Sequence, residues 1–170
     1  GSLGCTCTMC RDWWIIVPKY NKPIYFKYLL TPTGIDTLPQ QTIGTPFTSD
    51  AGQAVFTPDG SKYIKINSPN IDNLWLDIID FDRCTGMFDN YQGFYKNEGG
   101  LSGVAVSQSS RFLYVSLGTK IYQYDLWASD IRASETLVGS VGGFATNVWM
   151  SQLAPDGKIY TRSEVVLNES

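Results

Sequence analysis

One turn type comes back along this chain and sets the scale of its architecture. Thr57-Pro58-Asp59-Gly60, Ser107-Gln108-Ser109-Ser110 and Ala154-Pro155-Asp156-Gly157 recur at intervals of about 50 residues, each between a short apolar run and a β-type run. A unit of about 40–50 residues built from short strands around such a turn is the mark of a β-propeller blade. Pro presets φ, Asp bonds its own backbone and Gly accepts positive φ, so Asp59 and Asp156 are accounted for as turn builders with no substrate involved.

The runs around the turns repeat too. Ser61-Lys62-Tyr63-Ile64-Lys65-Ile66 follows the first turn and Arg111-Phe112-Leu113-Tyr114-Val115-Ser116 the second, both dense in β-branched and aromatic residues. Leu74-Trp75-Leu76-Asp77-Ile78-Ile79-Asp80-Phe81-Asp82 then matches Lys120-Ile121-Tyr122-Gln123-Tyr124-Asp125-Leu126, each reading as a strand with one face more buried than the other. Upstream, Asp12-Trp13-Trp14-Ile15-Ile16-Val17, the turn Lys19-Tyr20-Asn21-Lys22 and the run from Pro23 to Leu30 form the middle hairpin of a unit whose opening strand is missing. Gly34 and Gly86 are expected to end corresponding strands. Stretches 31–48, 67–73 and 139–146 read as turns between units, and no segment has a sustained helical period.

These features predict an all-β fold of β-propeller-type blades, each a four-stranded antiparallel sheet. A Cys-containing N-terminal segment, 1–10, precedes a partial propeller over 11–170, with blades at about 11–50, 51–100, 101–146 and an incomplete 147–170. The 170 residues hold about three and a half such units, whereas closed propellers have about four to eight. The ring is therefore incomplete: the chain is a fragment of a longer one, the reading its start inside a unit favours, or copies complete one another by self-association.

Composition narrows the partners. A formal net charge of −3 leaves no basic footprint for nucleic acid or an anionic membrane surface. No apolar run approaches the ~18 residues needed for a transmembrane helix. Single glycines such as Gly44, Gly52, Gly93 and Gly103 read as allowances for turns, bulges or close blade packing.

The chain contains no histidine, which removes Ser-His-Asp and Cys-His catalysis and every His-ligated metal site. Carboxylate chemistry survives that exclusion, because glycoside cleavage needs two acids about 5–9.5 Å apart, and Asp77, Asp80, Asp82 and Asp89 are concentrated in one unit. Alternation places Asp80 and Asp82 on one side of a strand and Asp77 on the other. The plainer reading is a polar strand face with a turn aspartate. No twelve-residue calcium loop is present. Cys5, Cys7 and Cys10 form a C-x-C-x-x-C cluster with Cys84 far along the chain. That spacing lacks the second knuckle of a tetrathiolate zinc site, and disulfides in an exported domain account for it better; lipidation at Cys5 is a weaker reading. Trp13, Trp14, Trp75, Trp127 and Trp149 read as inter-blade core before sugar-stacking platforms. No catalytic, cofactor or metal residue is assigned.

Taken as a set, Arg11-Asp12-Trp13-Trp14-Ile15-Ile16, Phe56-Thr57-Pro58-Asp59-Gly60-Ser61-Lys62-Tyr63, Ile121-Tyr122-Gln123-Tyr124-Asp125-Leu126 and Gln152-Leu153-Ala154-Pro155-Asp156-Gly157-Lys158-Ile159-Tyr160 resemble the WD40-like propeller region of large bacterial surface proteins. There the propeller commonly precedes a sorting domain for type IX secretion or gliding-associated export. The resemblance covers residues 11–162; the chain departs from it in having few blades and no sorting domain. It implies a noncatalytic interaction or structural module at the cell surface or outside the cell, binding a protein or glycan partner or assembling with itself. The alternative is a carbohydrate-active propeller using paired carboxylates.

Overall fold

The computed structural model describes residues 12–48, 52–70, 72–142 and 146–165. Thirteen strands are present among them: β1 Trp13–Pro18, β2 Ile24–Thr31, β3 Gly34–Thr42, β4 Gly52–Phe56, β5 Lys62–Asn70, β6 Asn73–Asp82, β7 Met87–Lys96, β8 Ser102–Val106, β9 Phe112–Leu117, β10 Lys120–Asp125, β11 Thr136–Ser140, β12 Thr146–Leu153 and β13 Ile159–Val165. They form four antiparallel sheets in simple up-and-down order: sheet 1 (β1-β2-β3), sheet 2 (β4-β5-β6-β7), sheet 3 (β8-β9-β10-β11) and the hairpin β12-β13. The fold is all-β and contains four-stranded antiparallel sheets, arranged as an incomplete propeller-like stack with no closed barrel among the described residues.

The three recurring turns occupy one structural position. Each joins the first strand of its sheet to the second: β4 to β5, β8 to β9 and β12 to β13. In each, the fourth residue donates its N–H to the carbonyl of the first, Gly60 to Thr57 at 2.7 Å, Ser110 to Ser107 at 2.9 Å and Gly157 to Ala154 at 2.9 Å. That fourth residue has positive φ in all three, +70°, +60° and +79°. Ser110 holds this left-handed conformation without being glycine, and its hydroxyl accepts the Asp59 N–H at 3.0 Å, tying the turn of sheet 3 to that of sheet 2.

Sheet 2 is covered on both faces. Tyr63, Ile79, Phe81 and Phe88 pack toward sheet 1 with Tyr25, Trp14 and Ile16, while Ile64, Ile66, Leu74, Leu76 and Ile78 pack with Val104, Leu113 and Val115 of sheet 3. The expected one-sided β6 is therefore corrected. Its centre, Leu76 to Ile79, is buried on both faces because a neighbouring sheet lies on each side. Two glutamine side chains stitch sheets together by imitating backbone. Gln53 of β4 accepts the N–H groups of Val104 (3.0 Å) and Ser151 (3.1 Å) and donates to the Ser151 carbonyl (2.7 Å). Gln41 of β3 makes the same paired bonds to Phe88, 2.5 Å to its carbonyl and 2.9 Å from its N–H.

The polar outer strands depart from the sequence reading. Segment 31–48, expected as a turn, contains β3, whose residues are mostly exposed. β5 likewise runs to Asn70 and β6 begins at Asn73 in the same sheet, so stretch 67–73 lies within a unit and not between units. Gly34 and Gly86 do occupy equivalent places, but at the start of the outer strand, in the turns joining β2 to β3 and β6 to β7. The sole helical segment among the described residues is a 3-10 turn, Arg132–Ser134. Of the five tryptophans, Trp14 joins the core between sheets 1 and 2; Trp13 and Trp127 are exposed, which corrects the inter-blade reading for both. Trp75 packs against Tyr95, ring centroids 5.0 Å apart, and Trp149 faces the Arg162 guanidinium.

An ionic latch closes the outer seam between sheets 2 and 3. Glu98 meets Lys120 at 2.6 Å and accepts the Tyr122 hydroxyl at 2.7 Å; Lys96 stands over the Tyr122 ring at 3.7 Å and pairs with Glu135 at 2.6 Å. Burial alone would raise the Glu98 carboxyl, but the bonds from Lys120 and Tyr122 outweigh it and hold the carboxyl below the usual range. Its stabilisation is thus complete above the unfolded value of about 4.3 and fades as pH falls through the lower folded value. Chemical denaturation across acid pH should show wild type losing stability more steeply than Glu98→Gln.

Packing is close where sheet 3 meets the β12–β13 hairpin. A Cβ on Gly103 would lie 2.8 Å from the Met150 backbone, whereas one on Gly142 meets nothing within 4 Å. Gly103→Ala is expected to lower stability by about 1–3 kcal/mol, and Gly142→Ala to leave it within about 0.5 kcal/mol, in urea titrations.

Candidate functional site

The four acids singled out in sequence divide into two environments. Asp77 sits at the middle of β6, 0 % exposed, on the side facing sheet 1. Its carboxylate pairs with the buried Lys65 ammonium at 3.1 Å and accepts the Thr45 N–H (3.0 Å), the Thr45 hydroxyl (2.7 Å) and the Tyr91 hydroxyl (3.0 Å). Lys65 in turn donates to the Thr45 carbonyl at 2.8 Å. These bonds anchor the connection from β3 to β4, the segment that carries the chain from one sheet to the next. The buried charge is satisfied, and its position leaves no room for a substrate: a Cβ on Gly44 would come within 3.1 Å of the same carboxylate.

Asp80, Asp82 and Asp89 come together at the other end of the strand. With Ser61, Lys62, Phe81 and Met87 they line one open groove of about 420 Å³. The ladder pairs Asp80 directly with Asp89 across β6 and β7, just past a bulge between Ile78 and Asp80. Like charges opposite one another repel, and here a cation and an amide offset the repulsion: Lys62 binds Asp80 directly, and the Asn90 amide donates to it at 2.9 Å. Asp89 accepts the N–H of Asn90 at 2.7 Å, where Asn90 adopts positive φ. Asp82 closes the β6–β7 turn, accepting the Cys84 N–H at 2.8 Å and the Thr85 hydroxyl at 2.9 Å. The Cys84 N–H first and the Thr85 hydroxyl second hold its carboxyl below the usual range. A general acid for glycosidic cleavage needs the opposite shift.

Cys84 is disulfide-bonded; Cys5, Cys7 and Cys10 lie outside the described residues. Among the described residues no group of three or more His, Cys, Asp or Glu side chains could hold a metal ion.

The same rim carries an exposed aromatic that sequence reading placed in the core. Trp127, 66 % exposed, follows β10, with the Arg111 guanidinium 5.2 Å from its ring. Arg111 is fixed by a two-pronged pairing with Asp125, at 2.7 Å and 3.1 Å, and Asp125 also accepts the Trp127 N–H at 3.0 Å. Arg111 occupies in sheet 3 the place of Ser61 in sheet 2, immediately after the recurring turn, and Asp125 the place of Asp80: Leu126 donates to the Arg111 carbonyl as Phe81 does to that of Ser61, and Asp125 pairs with Phe112 as Asp80 does with Lys62. Aligning the repeats by their turns could have exposed this basic–acidic pair; nothing in one sequence marks Trp127 as solvent-facing.

No protein-family model matches the chain, and no curated protein sequence matches it significantly. Similar solved structures include a crystal structure of a protein from Lactobacillus plantarum, 17% identical with a TM-score of 0.50 over 86% of this chain and 50% of that one. They also include a functionally unknown protein from Desulfotomaculum acetoxidans, 13% identical with a TM-score of 0.46 over 86% of this chain and 58% of that one. At these identities the first likeness concerns the fold, and the chain spans about half the length of the proteins it matches.

Breaking the Asp77–Lys65 pair from one side leaves a buried charge alone. Asp77→Leu is expected to cost about 3–5 kcal/mol, while Asp77→Leu combined with Lys65→Met recovers most of that loss. Guanidinium unfolding of the two singles and the double variant reads the difference as a coupling.

Proposed function

We propose that this chain is a noncatalytic interaction module of a bacterial cell-surface or extracellular protein, of the WD40-like propeller kind, presenting the rim of its recurring turns to a protein or glycan partner. One observation carries the reading: the candidate acids are committed to holding the fold. Asp77 anchors a sheet-to-sheet connection, Asp82 closes a turn, and Asp80 is bound by Lys62 and Asn90. The disulfide at Cys84 supports an oxidising compartment. Trp127, with the Arg111 guanidinium beside its ring, supplies an exposed aromatic surface of the sort that stacks on a sugar ring or anchors a protein contact.

A second reading keeps a specific observation of its own. Asp80, Asp82 and Asp89 share one groove, so a carbohydrate-active propeller working through paired carboxylates stands as the alternative.

A glycan hydrolysis screen separates the two. No turnover is expected from the wild-type chain. Turnover that disappears in Asp80→Asn or Asp89→Asn protein of unchanged circular dichroism would establish the alternative. For the favoured reading, glycan and protein arrays probed with wild type and Trp127→Ala should show binding that the variant loses.

A further inference from the structure

The two four-stranded sheets share a frame at the rim and differ in what they mount on it. Asp125 stands where Asp80 stands in sheet 2, and Leu126 donates to the Arg111 carbonyl as Phe81 does to that of Ser61. Counted from this frame, Trp127 takes the place of Asp82 and Arg111 that of Ser61. The two changed residues meet, with the Arg111 guanidinium 5.2 Å from the Trp127 ring. The place itself is open. Asp82 alternates with Phe81, which faces sheet 1, so it lies on the side of sheet 2 that the four-stranded sheet 3 covers, and it is exposed there all the same. The exposure of Trp127 therefore follows from its place on the rim and not from the extent of the chain.

Arg111 is held before any ligand arrives. Its Nε and Nη2 bond the Asp125 carboxylate at 3.1 Å and 2.7 Å, and the Phe112 ring lies 4.9 Å from the guanidinium. Asp125 also fixes the Trp127 backbone by accepting its N–H at 3.0 Å. Nη1 makes no hydrogen bond among the described residues, and the Arg111 side chain is 42 % exposed. With the guanidinium on one side of the indole and Trp127 largely exposed, the other side of the ring meets solvent. A flat apolar face thus stands beside unused donors and the lone pairs of a partly exposed carboxylate.

We infer that Trp127, Arg111 and Asp125 form a binding site for a neutral pyranose sugar, Trp127 stacking on the C–H face of the ring while Arg111 and Asp125 take a neighbouring pair of hydroxyls. Three observations select this ligand. A hydroxyl both donates and accepts, so it suits a donor and an acceptor set side by side, whereas a carboxylate ligand would meet Asp125 as well as Arg111. The ion pair cancels, the next charge along the chain is the exposed Asp130, and the formal net charge is −3, so nothing here draws an anion. Across 107–112 and 125–131, Trp127 is the only large apolar side chain that is exposed. Its exposed neighbours, Gln108, Ser109, Ser129 and Asp130, make a polar ring unlike the apolar centre of a protein interface. The site rests on the interaction-module reading and gives that module a ligand, with groups fixed in advance so that little ordering cost opposes binding.

NMR of the full chain titrated with neutral oligosaccharides of glucose, mannose and galactose, and with oligogalacturonate as the acidic counterpart, tests it. The Trp127 indole N–H signal, identified by its loss in Trp127→Phe, is expected to shift with at least one neutral series at millimolar concentration. Trp127→Ala should weaken that binding about 10-fold or more, and Arg111→Lys, which keeps the charge and loses the fork, about 5-fold. Trp127→Gln replaces Trp127→Ala if circular dichroism shows that variant unfolded. No shift with any neutral series at about 10 mM, tighter binding of oligogalacturonate, or binding that survives Trp127→Ala in folded protein overturns the inference. Protein-array binding lost in Trp127→Ala without any sugar response overturns it too, and leaves the interaction-module reading standing. Hydrolysis of a sugar bound through Trp127 would support the site and overturn the noncatalytic reading.

Discussion

A sheet that is apolar on both faces must be covered on both, and the rest of this structure follows from that requirement. Sheet 2 meets it fully. Tyr63 and Ile79 look toward sheet 1 while Ile64 and Ile78 look toward sheet 3, so each strand contributes to two cores at once. Burying a side chain of this size contributes about 1.5–3 kcal/mol, which makes the double covering the main stabilising feature of the stack. Backbone groups caught between sheets then need partners, and Gln41 and Gln53 supply them with side-chain amides aimed at Phe88, Val104 and Ser151. The stacked turns keep the repeats in step, with Ser110 of one turn receiving the Asp59 N–H of the next.

The same requirement explains why charged residues that look chemical are structural. Asp77 and Lys65 face each other inside the seam between sheets 1 and 2, where an isolated charge would cost several kcal/mol and a hydrogen-bonded pair is tolerated. The carboxylate is spent on Thr45 and Tyr91, and the connection between the sheets is fixed in place as a result. Toward the rim the chain is solvated, and there Asp80, Asp82 and Asp89 gather without being buried. Function on this fold is therefore sought at the rim, where side chains are free of the packing constraint.

The architecture was legible because its signals are local. A Pro-Asp-Gly turn needs specific residues at specific places, and the inner strands it joins, such as Lys62–Asn70 and Phe112–Leu117, carry dense β-branched and aromatic runs. The outer strands were not legible. β3 reads Gly-Ile-Asp-Thr-Leu-Pro-Gln-Gln-Thr and is exposed along most of its length, so no apolar alternation marks it. β7 and β11 are hidden for the same reason. The candidate site was half legible: alternation put Asp80 and Asp82 together and Asp77 apart, as the structure has them, but the cross-strand pairing of Asp80 with Asp89 depends on a bulge that spacing does not reveal. Trp13 and Trp127 were misplaced because an aromatic in a strand repeat has the same pattern whether a neighbouring sheet covers it or solvent does.

The central claim is that coverage of sheet faces, and not strand pairing alone, sets local stability along the stack. Native-state hydrogen exchange tests it most directly. Amides of β6 and β9, inside doubly covered seams, are expected to exchange slowly. Those of β1 and β13 are expected to exchange faster. Protection of β1 equal to that of β6 would contradict the account.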